Sequence, residues 1–211
     1  MPYFITKGRL RMTTLERLSV VVPADWVPGP QQGQWTYADY AAIPVDGHRY
    51  EIVNGVLYMT PSPSLGHQGI AGEIFAYLRN FVQMAGLGRV FVAPTDVELS
   101  YKNVVQPDVF VVLNEHLDRM AGSRLIGAPD LVVEIASPGT ARHDLREKQD
   151  AYARAGVPEY WIVTPGEQVV EVLVLEDSLY RSLGVFHGHA ILPSRIVPDL
   201  PIKVEQFFAF S

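Results

Sequence analysis

Cysteine is absent from the 211 residues, so neither disulfides nor thiolate metal sites are available to the chain. Its absence fits a reducing compartment, and the cytoplasm is the expected location. No apolar run approaches the roughly 20 residues that a bilayer-spanning helix needs. The basic opening, MPYFITKGRLRM, leads into a short apolar stretch from Leu18 to Ala24, broken by Ser19 and Pro23. A cleaved signal peptide is therefore not expected. Basic residues are in the minority, 17 against 23 acidic, for a net charge of −6. That balance disfavours a protein that grips nucleic acid over its entire surface, though it leaves room for a local basic groove. Arg142, His143, Arg146, Lys148 and Arg154 cluster in one stretch. From charge alone that stretch reads as a solvated helix face. Repeats and low-complexity tracts are also missing. What remains is a length sufficient for one substantial domain with its own core.

Residues 1–34 show no sustained period, and Pro23, Pro28, Gly29, Pro30 and Gly33 punctuate their second half. They read as an irregular, extended arm, with a single domain over residues 35–211. Thr36 and Asp39 have capping-box spacing for a short helix through about Ala42. In RYEIVNGVLYM, Asn54-Gly55 separates two apolar-rich runs and predicts a hairpin. From His67, the apolar residues Ile70, Ile74, Leu78 and Phe81 recur at helical spacing as far as Gly86. RVFVA and DVELS are short strands. VVQPDVFVVL is read as a strand with an edge position or bulge at Pro107, which cannot donate to a ladder. A connector with Leu117, Arg119 and Gly122 leads to PDLVVEIAS. There, alternation sets Leu131, Val133 and Ile135 against Val132, Glu134 and Ala136. A helix from about Ala141 to Gly156 precedes the strand VPEYWIV. The meander QVVEVLVLE and LYRSLGVF follows, and a short terminal helix closes the chain.

Two apolar strands thus each carry an acid, Asp108 and Glu134, and buried acids are costly unless compensated. The next helix places Lys148 on one stripe with Leu145, Gln149 and Tyr152, so the ammonium points at those strands. An Asp144–Lys148 surface pair does not explain why lysine shares that stripe. Two carboxylates without thiolate or histidine neighbours suit a hard divalent cation such as Mg²⁺. Such an ion acidifies water and neutralises charge on a phosphodiester, and a neighbouring lysine orients the water or meets the charge. Metal-assisted phosphodiester hydrolysis gives all three groups a task. From position alone, Glu51 reads as an exposed cross-strand acid and His67 as a surface histidine.

YEIVNG, His67-Gln68, DVEL, VVQPDVFVV, GAPDLVVEIASP, Glu147-Lys148 and GVPEYWIV, taken in order, resemble the Uma-type restriction endonuclease family of the PD-(D/E)XK nuclease superfamily. The resemblance runs from about Tyr37 to Phe208. It implies an α/β (α+β mixed-sheet) fold: a restriction-endonuclease-like core with a central mixed sheet flanked by helices, to which the hairpin meander is added. It further implies a Mg²⁺-dependent nuclease site, with Mn²⁺ as an alternative ion. Pro107-Asp108 is similar to the superfamily's PD, and Glu134-Ile135-Ala136 stands where (D/E)XK is expected. Alanine replaces the lysine there, and Lys148 matches a lysine moved to the following helix. By the same resemblance the Ile135 carbonyl is a further metal ligand. Glu51, His67, Asp96, Gln149 and Tyr152 match recurring positions that support the site or contact substrate.

The leading expectation is a Mg²⁺-dependent DNA endonuclease in which Asp108 and Glu134 bind metal and Lys148 positions or activates water. The alternative is a catalytically silent nuclease-fold module that binds nucleic acid or a protein partner, which the acidic net charge favours. A carboxylate-pair glycosidase would need both acids but not Lys148. Cutting both strands of a duplex needs two sites, so a homodimer or higher homo-oligomer is expected, with the meander edge after Val169 as its interface. No membrane association is expected.

Overall fold

At Asn54 and Gly55 the backbone turns with φ of 53° and 75°, the left-handed values that a two-residue hairpin turn requires. In this computed structural model residues 21–137, 142–198 and 200–209 are described, without the side chains of residues 142–145. Most of the arm (residues 1–20) therefore lies outside the description, as do the side chains of Arg142, His143, Asp144 and Leu145. The described part of the arm lies along the hairpin. β1 (Val22–Pro23) pairs antiparallel with the hairpin's second strand, Ala24 is fully buried, and the Leu57 N–H donates to Gln32 Oε1. α1 (Tyr37–Ala41) opens on the expected capping box, with the Thr36 N–H donating to Asp39 Oδ2 at 3.0 Å.

The hairpin strands are β2 (Arg49–Val53) and β3 (Val56–Thr60). α2 (Leu65–Leu78) starts at Ser64, whose hydroxyl accepts from the His67 N–H. Ile70, Ile74 and Leu78 are buried as expected, but Phe81 is 36% exposed and Val82 is buried in its place. Residues Arg79–Gln83 form a π turn. Such a turn takes an extra residue, so the inward position slips by one.

β4 (Gly88–Val92), β5 (Asp96–Ser100), β6 (Asn103–Val105) and β7 (Val109–Leu113) follow. β8 (Met120–Ala121) and β9 (Arg124–Ile126) make a small hairpin in what was expected to be a plain connector. β10 (Leu131–Ile135), α3 (Arg142–Ala155), β11 (Glu159–Thr164), β12 (Val169–Glu176) and β13 (Leu179–His187) complete the main elements. One sheet has the order β13-β12-β11-β10-β7-β4, the other β1-β3-β2-β6-β5-β9-β8. In the first, only β10 and β11 are parallel. A parallel pair needs a crossover, which α3 supplies.

The fold is mixed α+β, as expected, with a central mixed sheet that ends in the meander β12–β13 and, beside it, a second mixed sheet that was not expected. The stretch VVQPDVFVVL is the reason. It is two strands in different sheets, β6 ending at Val105 and β7 starting at Val109. Pro107 has no N–H for a ladder and the Gln106 N–H is held by the Glu51 carboxylate. Pairing stops there and the chain crosses to the other sheet, rather than bulging within one.

The six-stranded sheet forms the middle layer. Val109, Val111, Leu131, Val133 and Trp161 pack against α2 and the C-terminal segment, including the short helix Val204–Phe208. Phe110, Val112, Val132 and Tyr160 pack on the opposite side against Ala151 and Tyr152 of α3 and against Val53, Val97 and Val105 of the second sheet. The alternation read from β10 is therefore real, and it turns Glu134 toward α3. Among the described residues, no helix is long and apolar enough to cross a membrane.

Candidate active site

Asp108 stands where the chain enters β7 from the crossover. Its Oδ2 accepts the Ile135 N–H at 2.7 Å, and its Oδ1 lies 2.8 Å from His67 Nε2 in the first turn of α2. One residue before Ile135, Glu134 projects toward α3 with 6% exposure. Glu134 Oε1 accepts from the Tyr152 hydroxyl at 2.6 Å and from Lys148 Nζ at 3.3 Å. Lys148 shares the inward stripe of α3 with Ala151 and Tyr152, all three buried, as positions three and four apart on a helix must. Its Nζ is also 2.9 Å from both carboxylate oxygens of Glu51 on β2. Glu51 Oε1 takes the Gln106 N–H at 2.6 Å as well. Both sheets and both long helices thus contribute to one cluster.

Glu134 is pushed from the ordinary 4.5 up to about 7, first by burial and then by repulsion from Asp108 and Glu51, against the attraction of Lys148 and the Tyr152 hydrogen bond. Burial and the Glu134 charge raise the Tyr152 phenol well above its usual range, so it remains a donor. Among the described residues, Glu51, Asp108 and Glu134 stand against the Lys148 ammonium and the His67 ring, and a buried excess of negative charge favours a cation. The Asp108 and Glu134 carboxylates offer oxygen donors of the kind that a hard divalent ion takes, and they could hold one. Among the described residues, Glu134 Oε2 takes no hydrogen bond, which leaves it open for such a ligand.

The raised Glu134 has a consequence for stability. Between about 4.5 and about 7 the folded state holds a proton that the unfolded chain releases, so stability is present below 4.5 and is lost as pH rises through 7. Glu134→Gln removes that loss while Lys148 keeps Glu51. In EDTA, urea denaturation at pH 8 should find the variant more stable than wild type by up to about 3 kcal/mol, with the gap closing by pH 4.5. A variant no more stable at pH 8 would contradict the electrostatic account.

Elsewhere, Glu115, His116 and Asp130 bring possible ligand atoms within 4.8 Å of one another. It lies at the other end of the antiparallel β7–β10 pair. There the Leu113 N–H donates to Asp130 Oδ2 and His116 Nδ1 meets Oδ1, each at 2.7 Å. Asp130 is satisfied without a cation.

Of the residues singled out from the sequence, Asp108, Glu134, Lys148, Glu51, His67 and Tyr152 come together. Glu51 is 3% exposed and ion-paired rather than a surface acid, and His67 is bonded to Asp108 rather than free on the surface. Asp96 stands one link away, its Oδ1 accepting from Tyr40 and from Gln106 Nε2, both at 2.8 Å. Gln149 is half-buried and makes no side-chain hydrogen bond among the described residues. Arg146 is exposed, and Arg154 donates to Asn54 Oδ1, so these members of the basic cluster sit outside the site. Sequence reading missed Gln106, although its place directly before Pro107-Asp108 marked it as a neighbour of the acid.

This arrangement of two mixed sheets and few helices is a nuclease fold. It is shared with a solved structure from Anabaena variabilis described as "a putative nuclease belonging to DUF820", with a TM-score of 0.71 at 20% identity over 82% of this chain and 97% of that one. Residues 37–205 match the Uma2 family, described as "Putative restriction endonuclease", and the chain belongs to that family. A comparison with curated proteins gave no match.

Proposed function

We propose that the protein is a Mg²⁺-dependent DNA endonuclease that hydrolyses phosphodiester bonds, with Asp108, Glu134 and Lys148 as its catalytic groups. The observation that carries this reading is the junction of Lys148 with two buried acids beside Asp108. Mg²⁺ or Mn²⁺, held by Asp108, Glu134 and the Ile135 carbonyl, would acidify the attacking water and neutralise charge on the phosphodiester. His67 and the Ile135 N–H fix the Asp108 carboxylate, and Tyr152 fixes that of Glu134. Lys148, paired with two carboxylates, acts as a donor. It orients the water and meets the negative charge that builds up on the phosphoryl oxygens. As the water oxygen bonds to phosphorus it gives up a proton, and the departing nucleoside oxygen takes one up. Cutting both strands needs two such sites, so the reading extends to a cytoplasmic homodimer, with residues 35–211 as one domain.

The acidic net charge favours one other reading, a silent nuclease-fold module that binds nucleic acid or a protein partner. Two measurements separate them. Plasmid and single-stranded DNA should be cut with Mg²⁺ or Mn²⁺ and spared in EDTA. Calorimetric titration of Mg²⁺ should give heat with wild type and none with Glu134→Ala. No heat from wild type, or equal heat from the variant, leaves the silent module.

A further inference from the structure

Arg49 opens β2, two residues from Glu51, so both side chains start on one face of the strand. Its Nε donates to Gln106 Oε1 at 3.0 Å. Gln106 is 9% exposed and is fixed from every side. Its N–H holds Glu51, and its Nε2 donates to Asp96 Oδ1 at 2.8 Å and to the Tyr40 hydroxyl at 3.2 Å. Facing a carboxylate, the Nε2 end has one workable orientation, which turns Oε1 toward Arg49. The same glutamine thus braces Glu51, the partner of Lys148, with its backbone and Arg49 with its side chain.

Among the described residues, the guanidinium is anchored at Nε alone. Among the described residues, Nη1 and Nη2 meet no hydrogen-bond partner and no carboxylate lies within ion-pair distance. Four other arginines of the protein are differently placed. Arg124 is paired with Glu98, Arg181 and Arg195 with Glu176, and Arg119 is bonded to the Ala128 carbonyl. Asp96 does not neutralise Arg49, because the carboxamide stands between them. A planar guanidinium with its fork unspent, partly exposed beside the acidic cluster, is suited to bidentate contact with a phosphate.

We propose that Arg49 forms a subsite for a backbone phosphate of the nucleic acid, next to the one that is cut. The inference rests on the nuclease reading above and deepens it. It is tested by fluorescence anisotropy of a labelled DNA duplex, titrated with full-length protein at several salt concentrations, so that no cleavage is needed. Arg49→Ala should weaken binding about 10-fold and reduce the salt slope by about one contact. Arg49→Lys should recover the slope but only part of the affinity, since a point charge cannot reproduce the fork. If Arg49 merely braces Gln106, the alanine variant changes affinity without changing the slope, which rejects the subsite. Unchanged affinity and slope in the two variants reject it too, with the nuclease reading intact. Wild type that binds no DNA at any salt overturns that reading and the subsite with it.

Discussion

Lys148→Met should lower DNA cleavage by about 10²–10³-fold, the usual effect of removing a donor aimed at developing charge, and should destabilise the fold by about 3–5 kcal/mol. The second effect follows from what the ammonium separates. Glu51 and Glu134 are 3% and 6% exposed, and both are within 3.3 Å of Lys148 Nζ. Removing the cation leaves two buried acids facing one another, and like charges in a low dielectric cannot both stay ionised without cost. Methionine keeps most of the volume, so the loss is one of charge rather than of packing.

The two effects can be separated. In Lys148→Met with Glu51→Gln, one of the facing charges is gone and stability should return to within about 1–2 kcal/mol of wild type. Cleavage should stay as low as in the single variant. A double variant as unstable as Lys148→Met would show that the buried pair is not the cause. A double variant that cuts DNA at the wild-type rate would remove Lys148 from the chemistry.

What the sequence disclosed was local. The Asn54-Gly55 turn, the Thr36–Asp39 cap, the alternation of β10 and the end of α3 at Gly156 (φ 84°) depend on a few neighbouring residues, and each was readable. So were an acid inside each of two apolar strands and a lysine on an inward stripe. Sheet membership was not, because it is settled by contacts between residues far apart in the chain. Pro107 announces that a ladder must stop. Whether the chain then bulges or crosses depends on Glu51 holding the Gln106 N–H from 55 residues away. The burial of Glu51 and the bond from His67 to Asp108 have the same origin, since neither residue has a local pattern that foretells it. The slip from Phe81 to Val82 is a smaller case: helical periodicity assumes one residue count per turn, and the π turn violates it.

Glu159 carries the other large effect, and it was not singled out from the motif GVPEYWIV that contains it. It is fully buried at the start of β11, opposite Leu131 in the register. Its carboxylate accepts from the Trp161 indole and the Ser194 hydroxyl at 2.7 Å, and from the Arg195 and Ile196 N–H groups at 2.6 and 3.3 Å. It therefore ties the central sheet to the segment that delivers Val197, Leu200 and Ile202 to the core beside α2. Glu159→Ala strands those donors, at about 1–3 kcal/mol for each one that water cannot reach. The expected loss is about 4 kcal/mol, or roughly 8–16 °C in Tm for a chain of this size. Glu159→Gln, which keeps the shape but turns an amide toward donors, should fall between. Glu159 lies with Trp161 on the sheet face away from Glu134, so cleavage per folded molecule should be unchanged at temperatures where the variant is folded. A loss below about 1 kcal/mol would mean that water or a shifted loop replaces the carboxylate. The contrast with Glu134 is chemical. Both acids are buried in the same sheet, but Glu159 is satisfied by neutral donors, whereas Glu134 shares Lys148 with Glu51, is repelled by Asp108 and Glu51, and among the described residues has one oxygen without a hydrogen bond. Only the second kind of burial calls for a cation.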